Sequence, residues 1–402
     1  MAAVAAAAAI GADLLSSAEY VPKNIMVTGG AGFIASHVCI LLARKYPQFK
    51  IINFDRLDCE SRRLVGPRRP TSSLPPAAHP PVSAPPHTPL PTTPRADCSC
   101  LQNLDGVKDL PNYKFVKGNI CSSDLVNYVL QAEEIDTIMH FAAQTHVDNS
   151  FGNSFQFTQN NIMGTHVLLE SAKAVDIKRF IHVSTDEVYG EQRLDQEAMN
   201  EEQVLEPTNP YAATKAGAEF LAKSYHRSFG MPIIITRGNN VYGPHQYPEK
   251  LIPKFINQLT RGRKVTLHGT GANKRNFLFV EDVARAFEII LLKGKVGVVY
   301  NIGGSNERAN IDVAKDLIAL SGYKGKEAAD MMTFVEDRVF NDLRYHINSD
   351  RLFELGWREQ VSWEEGLRTT FDWYQKNSLR FGDIESALVA HPRAGLDKGV
   401  NL

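Results

Sequence analysis

Several things are scarce in this sequence. Its 402 residues contain no apolar run long enough to span a bilayer. Neither sign of charge dominates: 44 Lys+Arg stand against 45 Asp+Glu, a formal net charge of -1. Without a basic face there is no electrostatic case for nucleic acid or a membrane surface as a partner. Cysteine is sparse and irregular, at positions 39, 59, 98, 100 and 121, which excludes a disulfide framework and a paired C-x-x-C zinc pattern. Cys98 and Cys100 lack nearby His partners and read as free thiols, so no metal is expected. The first 20 residues hold no Lys or Arg, so the basic n-region of a signal peptide and the Arg-rich face of a transit peptide are both missing. The expectation is a cytoplasmic protein with a disordered tail over 1–22.

Proline is present but clumped: eleven of the 21 fall between Pro67 and Pro94. Residues 60–97 are Pro/Ser/Thr-rich with little to bury, and read as a disordered or polyproline-like insert. Around them, short apolar runs alternate with amphipathic stretches. Strands are expected at 24–27, 51–54, 113–116, 137–141, 179–183 and 233–236, with helices between them. That alternation implies an α/β fold, a parallel sheet covered on both faces. After about Gly243 the pattern loosens into Gly/Pro-punctuated segments.

The first strand runs into Thr28-Gly29-Gly30-Ala31-Gly32-Phe33, and a helical pattern follows. Glycines here let the backbone turn tightly and approach a pyrophosphate placed at the positive end of the helix. The next strand ends at Asp55, whose carboxylate suits a ribose diol and repels a 2′-phosphate, so NAD is expected over NADP. Further on, Tyr211 and Lys215 stand four apart behind the helix-start signal Thr208-Asn209-Pro210. A neighbouring ammonium lowers a phenol's pKa towards that of a usable base. The segment Ser184-Thr185-Asp186-Glu187 closes a strand, where ligands bind in open α/β sheets, and offers an acid and a base side by side.

With these motifs the chain resembles the extended short-chain dehydrogenase/reductase family, and within it the nucleotide-sugar 4,6-dehydratases. Further matching segments are His140–Asp148, Asn239–Pro244, Pro248–Pro253, Tyr300–Gly304 and Asp337–Tyr345. The wording FAAQTHVDNSFGNSF and FGDIESALVAHPR is most similar to the dehydratase half of plant rhamnose synthases. The resemblance implies a Rossmann-type doubly wound sheet over 23–243 and a smaller substrate-binding lobe, mainly 244–402, intertwined with it. It implies a catalytic set of Thr185, Asp186, Glu187, Tyr211 and Lys215. It implies an NAD site of Gly29, Gly32, Phe33, Ile34, Asp55, Asp58, Asn119, Ile120, Phe141, Ala142, Ala143, Thr145 and Asn160, with Tyr211 and Lys215. Substrate contacts implied in the same way are Thr145, Asn240, Lys250, Leu251, Arg275, Asn310, Arg338 and Asn341, the two guanidinium groups suiting a diphosphate.

The reaction so implied is loss of water from UDP- or dTDP-glucose to a 4-keto-6-deoxy sugar nucleotide, in a homodimer. The other readings weighed are a sugar-nucleotide 4-epimerase or decarboxylase, and a non-catalytic dinucleotide-binding scaffold. Three departures from the family pattern stand out: Asn119 in place of Asp in a Gly-Asp-Ile turn, Val339 in place of Pro, and the Pro-rich insert itself.

Overall fold

The computed structural model describes residues 14–57, 99–337 and 341–389. The insert over 60–97, and with it Asp58, Arg338 and Val339, lie outside the described residues.

Six apolar runs form the strands expected of them: β1 (Asn24–Thr28), β2 (Lys50–Asp55), β3 (Tyr113–Lys117), β4 (Thr137–His140), β5 (Arg179–Thr185) and β6 (Ile233–Gly238). The later chain adds β7 (Asn240–Tyr242), β8 (Val265–His268), β9 (Lys274–Phe279), β10 (Val299–Ile302), β11 (Asn306–Ala309), β12 (Met332–Val335) and β13 (Arg344–Tyr345). The main sheet has the order β10-β6-β5-β4-β1-β2-β3, and every pairing in it is parallel. The order reverses between β1 and β4, the switch point where a crevice opens beyond the carboxyl ends of the strands.

Parallel strands require crossovers, and these supply helices to both faces. The principal helices are α1 (Phe33–Lys45), α2 (Ser123–Ala132), α3 (Gly164–Ala174), α4 (Pro210–Phe229), α5 (Leu251–Leu259), α6 (Val280–Lys293), α7 (Asn310–Leu320) and α8 (Trp363–Lys376). One face packs Ile25, Val27, Ile51 and Met139 against α1 and α6, through residues such as Val38, Leu42, Phe287 and Ile290. The other packs Met26, Ile52, Ile138 and Phe180 against α2, α3 and α4. A third apolar cluster gathers Tyr242, Phe255, Phe277, Leu317, Trp363 and Phe371 from β7, α5, β9, α7 and α8. Strands β11, β9 and β13 form a second sheet with β7 joined to β9, while β8 pairs with β12.

The sequence pattern gave no sign of one link. Strand β10 lies far beyond Gly243 yet completes the edge of the main sheet against β6, and α6 from the same stretch covers α1.

Candidate active site

A cleft of ≈ 370 Å³ opens at the carboxyl ends of the main strands. The glycine turn forms its floor. Gly29 has φ +70°, and a Cβ on it would lie 2.8 Å from Ala142 Cα, so only glycine fits both the conformation and the space. Gly32 precedes α1, which has no side-chain cap and no acidic residue in its first turn. The free N–H groups and the dipole there suit an anion.

Asp55 ends β2 at the same turn. Its carboxylate accepts Ala31 N–H at 3.0 Å and Leu57 N–H at 2.8 Å. The carboxylate thus steadies the glycine turn while lining the cleft. The chain that follows the insert is stitched to the same place: Cys100 N–H and Asn103 Nδ2 both donate to Ala31 O, each at 3.0 Å. These features fit a dinucleotide, with a pyrophosphate at α1 and a ribose near Asp55. We expect Gly29→Ala to cut NAD retention by at least about tenfold, since the added carbon displaces the 141–142 backbone. The nucleotide absorbance carried through purification measures this, and wild-type loading in the variant would reject the assignment.

Of the cofactor residues expected from sequence, Phe33, Ile34, Asn119, Ile120, Phe141, Ala142, Ala143, Thr145 and Asn160 all line the cleft. Two of them are partly engaged already. Asn119 Oδ1 accepts Cys121 N–H at 3.0 Å, and Asn160 Oδ1 accepts from Arg56 Nη1 at 3.0 Å. Thr145, Asn240 and Lys250 form the side where α5 begins, and Lys250 Nζ donates to Thr145 O at 3.3 Å. Leu251, Arg275, Asn310 and Asn341, expected as substrate contacts, are not among the residues that line the cleft. Arg275 stacks its guanidinium 4.7 Å over the Tyr345 ring and donates to Lys274 O at 2.7 Å. Its charge also draws Asp186 and Glu187 towards their ionised forms.

The acid/base pair sits on a short turn, Asp186–Tyr189, that continues β5. Thr185 Oγ1 accepts Glu187 N–H at 3.3 Å and donates to Asp186 Oδ1 at 3.2 Å. Asp186 is buried, and burial followed by the Glu187 charge lifts its pKa to about 7. It therefore holds a proton well above the usual carboxylate range. Glu187 is half-buried; burial raises it too, but Asn209, Arg275 and Lys250 pull it back.

Two asparagines not singled out as site residues hold this pair. Asn239 Nδ2 donates to Asp186 Oδ2 at 2.6 Å, and Asn209 Nδ2 donates to Glu187 Oε2 at 3.0 Å. Their signals were the helix-start triplet and the NNVYGP motif, neither of which shows where an amide points.

Tyr211 and Lys215 ride on the first turns of α4, capped by Asn209 with Pro210 beside it. Both are buried and line the cleft with the carboxylates. One expectation is corrected here. The lysine was expected to lower the Tyr211 pKa, but burial is the largest influence and raises it. Glu187 and Asp186 add to the rise, and contact with the Thr185 hydroxyl opposes it. Lys215 Nζ instead donates to Val183 O at 2.6 Å, and burial lowers its own pKa to about 8. Forming a Tyr211 phenolate therefore requires positive charge brought in with the ligands.

Beneath the site Thr28 Oγ1, His140 and Thr165 Oγ1 form a buried chain at 2.8 and 2.9 Å, and burial keeps His140 neutral. Three residues that line the cleft carry a buried side-chain oxygen without a hydrogen-bond partner: Ser184 Oγ, Asn239 Oδ1 and Gln246 Oε1. Such atoms are costly unless a ligand or water completes them. Among the described residues no group of three or more His, Cys, Asp or Glu could hold a metal ion. No helix there is long and apolar enough to cross a membrane.

Comparison with known proteins agrees with this layout. The family model described as GDP-mannose 4,6 dehydratase matches residues 92–370. A trifunctional UDP-glucose 4,6-dehydratase/3,5-epimerase/reductase of Arabidopsis thaliana is 52% identical over 381 residues, covering 94% of this chain and 51% of that protein. The chain thus spans about half the length of the plant relatives it matches. The dTDP-D-glucose 4,6-dehydratase of Mus musculus is 43% identical over 372 residues, covering 92% of this chain and 94% of its own. Among solved structures, a dTDP-glucose 4,6-dehydratase of Bacillus anthracis in complex with NAD superposes with TM-score 0.73 at 36% identity. It covers 89% of this chain and 97% of that one. With that model matched over more than half of its length, the chain belongs to the GDP-mannose 4,6-dehydratase family.

Proposed function

We propose that the chain is an NAD-dependent nucleotide-sugar 4,6-dehydratase that converts UDP-glucose, or dTDP-glucose, to the 4-keto-6-deoxy sugar nucleotide. The observation that carries this reading is the Asp186–Glu187 pair. Both carboxylates line the same cleft as Tyr211, and Asp186 is poised to hold a proton near neutral pH. A 4-epimerase on this fold has no use for a second acid and base there.

When bound, NAD supplies the two-electron acceptor and donor for the sugar, and a positive ring whose field favours the Tyr211 phenolate. The protein's own groups do the proton work. Tyr211, as a phenolate in that field, accepts the proton of the sugar 4-hydroxyl and becomes a neutral phenol, with Thr185 beside it and Lys215 held one turn further along α4. A ketone at C4 acidifies the C5–H, which Glu187 removes and gives back to C5 once the 6-hydroxyl has left and C6 is reduced. Asp186, holding its proton, delivers it to the departing 6-hydroxyl as water. The Arg275 charge favours the ionised form of both carboxyl groups. Lys250 and Asn240, on the open side of the cleft, face the nucleotide end of the substrate.

Greater identity to the plant enzymes named for UDP-glucose than to those named for dTDP-glucose favours uridine. For assembly we propose a homodimer formed through α4 and the helical segment 154–163 that leads into α3. Phe155 and Met163 on that segment and Phe220 on α4 are exposed at 78%, 52% and 57%, apolar surface that water disfavours. The small number of cysteines supports a cytoplasmic setting.

The test is direct. Incubation with NAD and either UDP-glucose or dTDP-glucose should yield a sugar nucleotide lighter by one water in the mass spectrum. If the folded protein leaves both substrates intact, the reading fails.

A further inference from the structure

Each catalytic carboxylate is held by one asparagine amide, but the two amides are not equivalent. Asn239 donates Nδ2–H to Asp186, while its own Oδ1 is buried without a partner. That amide can turn and offer either end to its carboxyl group. Asn209 has no such freedom. Its Oδ1 accepts Ala212 N–H at 2.8 Å as the cap of α4, which aims Nδ2 at Glu187 Oε2 at 3.0 Å. The residue is 4% exposed. Turning it would orphan a helix N–H and set a carbonyl oxygen against a carboxylate. A fixed N–H donor stabilises a carboxyl group in its ionised form.

We propose that Asn209 is a positioning residue that holds Glu187 as the ionised base and ties it to the helix turn carrying Tyr211. The inference rests on the dehydratase reading and deepens it. Asn209 stands two residues before Tyr211, so the cap that starts α4 also sets how the phenol and the base lie relative to each other. The charged and titratable surroundings of Glu187 agree with this assignment. Burial opposes its ionised form, and the Asn209 hydrogen bond is the largest influence favouring it. Arg275 from β9 and Lys250 beside α5 add to that, while Asp342 works against it. Asp186 on the same turn, Tyr211 on α4 and Tyr345 on β13 complete the set.

The decisive variant is Asn209→Ser. Serine caps a helix about as well as asparagine but lacks the amide that reaches Glu187. The titration midpoint of Glu187 should rise by about one unit, as expected for losing one hydrogen bond to a charged group. This is read from the infrared carboxyl band of the resting protein, assigned by its loss in Glu187→Gln. The acid limb of kcat should move to higher pH by the same amount, with KM changed less than twofold and the melting temperature unchanged. Asn209→Asp keeps the cap but faces a carboxylate with a carboxylate, so its shift should be larger in the same direction. A serine variant whose midpoint stays put overturns the proposal, and so does one that only melts earlier. If the wild-type protein forms no dehydrated product, the dehydratase reading falls. The infrared midpoint still decides whether Asn209 holds Glu187.

Discussion

Glu187→Gln is expected to lower dehydration by about 10³-fold while leaving the fold and cofactor loading unchanged. Glutamine keeps the shape and still meets Asn209, but it cannot accept the C5 proton. Solvent deuterium should therefore cease to enter C5 of the sugar, although reduced cofactor still accumulates when substrate is added. That split is diagnostic, because a merely misfolded variant loses both signals. Full turnover, or undiminished exchange at C5, would take the role of base away from Glu187. Asp186→Asn makes a companion with a different signature. Exchange at C5 should survive, because the base is intact, but water loss should not. In the wild type, activity should fall as pH rises through about 7, where Asp186 gives up the proton it has to donate. The sign follows from burial: a raised carboxyl pKa keeps the acid form available up to that pH and no further.

The second large effect concerns stability. Arg237 on β6 and Glu219 on α4 form an ion pair in which both side chains are 0% exposed. The guanidinium donates Nε to Oε1 at 3.1 Å and Nη2 to Oε2 at 2.8 Å, a two-pronged grip. Its Nη1 donates to Tyr189 Oη at 2.7 Å, and that hydroxyl donates to Asn301 Oδ1 at 2.8 Å. Arg237→Met should cost about 3–5 kcal/mol in a denaturation series, because it leaves Glu219 buried and uncompensated. Lys223, 3.8 Å from Glu219 and partly exposed, recovers only a fraction. Adding Glu219→Leu should restore most of the loss, since an apolar pair of similar volume no longer strands a charge. A single variant within about 1 kcal/mol of wild type would show that water or a rearranged Lys223 serves the carboxylate. The loss should also reach catalysis, because Tyr189 ends the turn that carries Asp186 and Glu187.

Some features are legible in the sequence and others are not, for physical reasons. Strands β1, β2, β4, β5 and β6 announce themselves because central parallel strands are apolar on both faces, while β3, at the sheet edge, shows the weaker pattern YKFVK. The glycine turn and the Tyr/Lys pair are legible because their chemistry is local in sequence. By contrast, nothing local marks Val299–Ile302 as a partner of Ile235–Gly238; that pairing is decided by what the earlier strands leave unfilled. The sign of the Tyr211 shift is hidden for a related reason. Spacing reveals a nearby lysine, but not that burial outweighs it or that the ammonium is turned to Val183 O. Asn209 was visible as a helix start and Asn239 as part of a motif. Their second functions depend on where β5 ends in space.

The late arrival of β10 and α6 has a consequence for biosynthesis. When β6 has left the ribosome, its outer edge has no partner and the apolar flank of α1 is bare, because 280–293 and 299–302 are not yet made. At a synthesis rate of about 5–20 residues per second, that state persists for several seconds. A parallel strand rich in isoleucine, with one open edge, is a template for pairing with other nascent chains. The nascent protein thus depends most on chaperone protection in the interval between making its nucleotide-binding strands and closing their sheet.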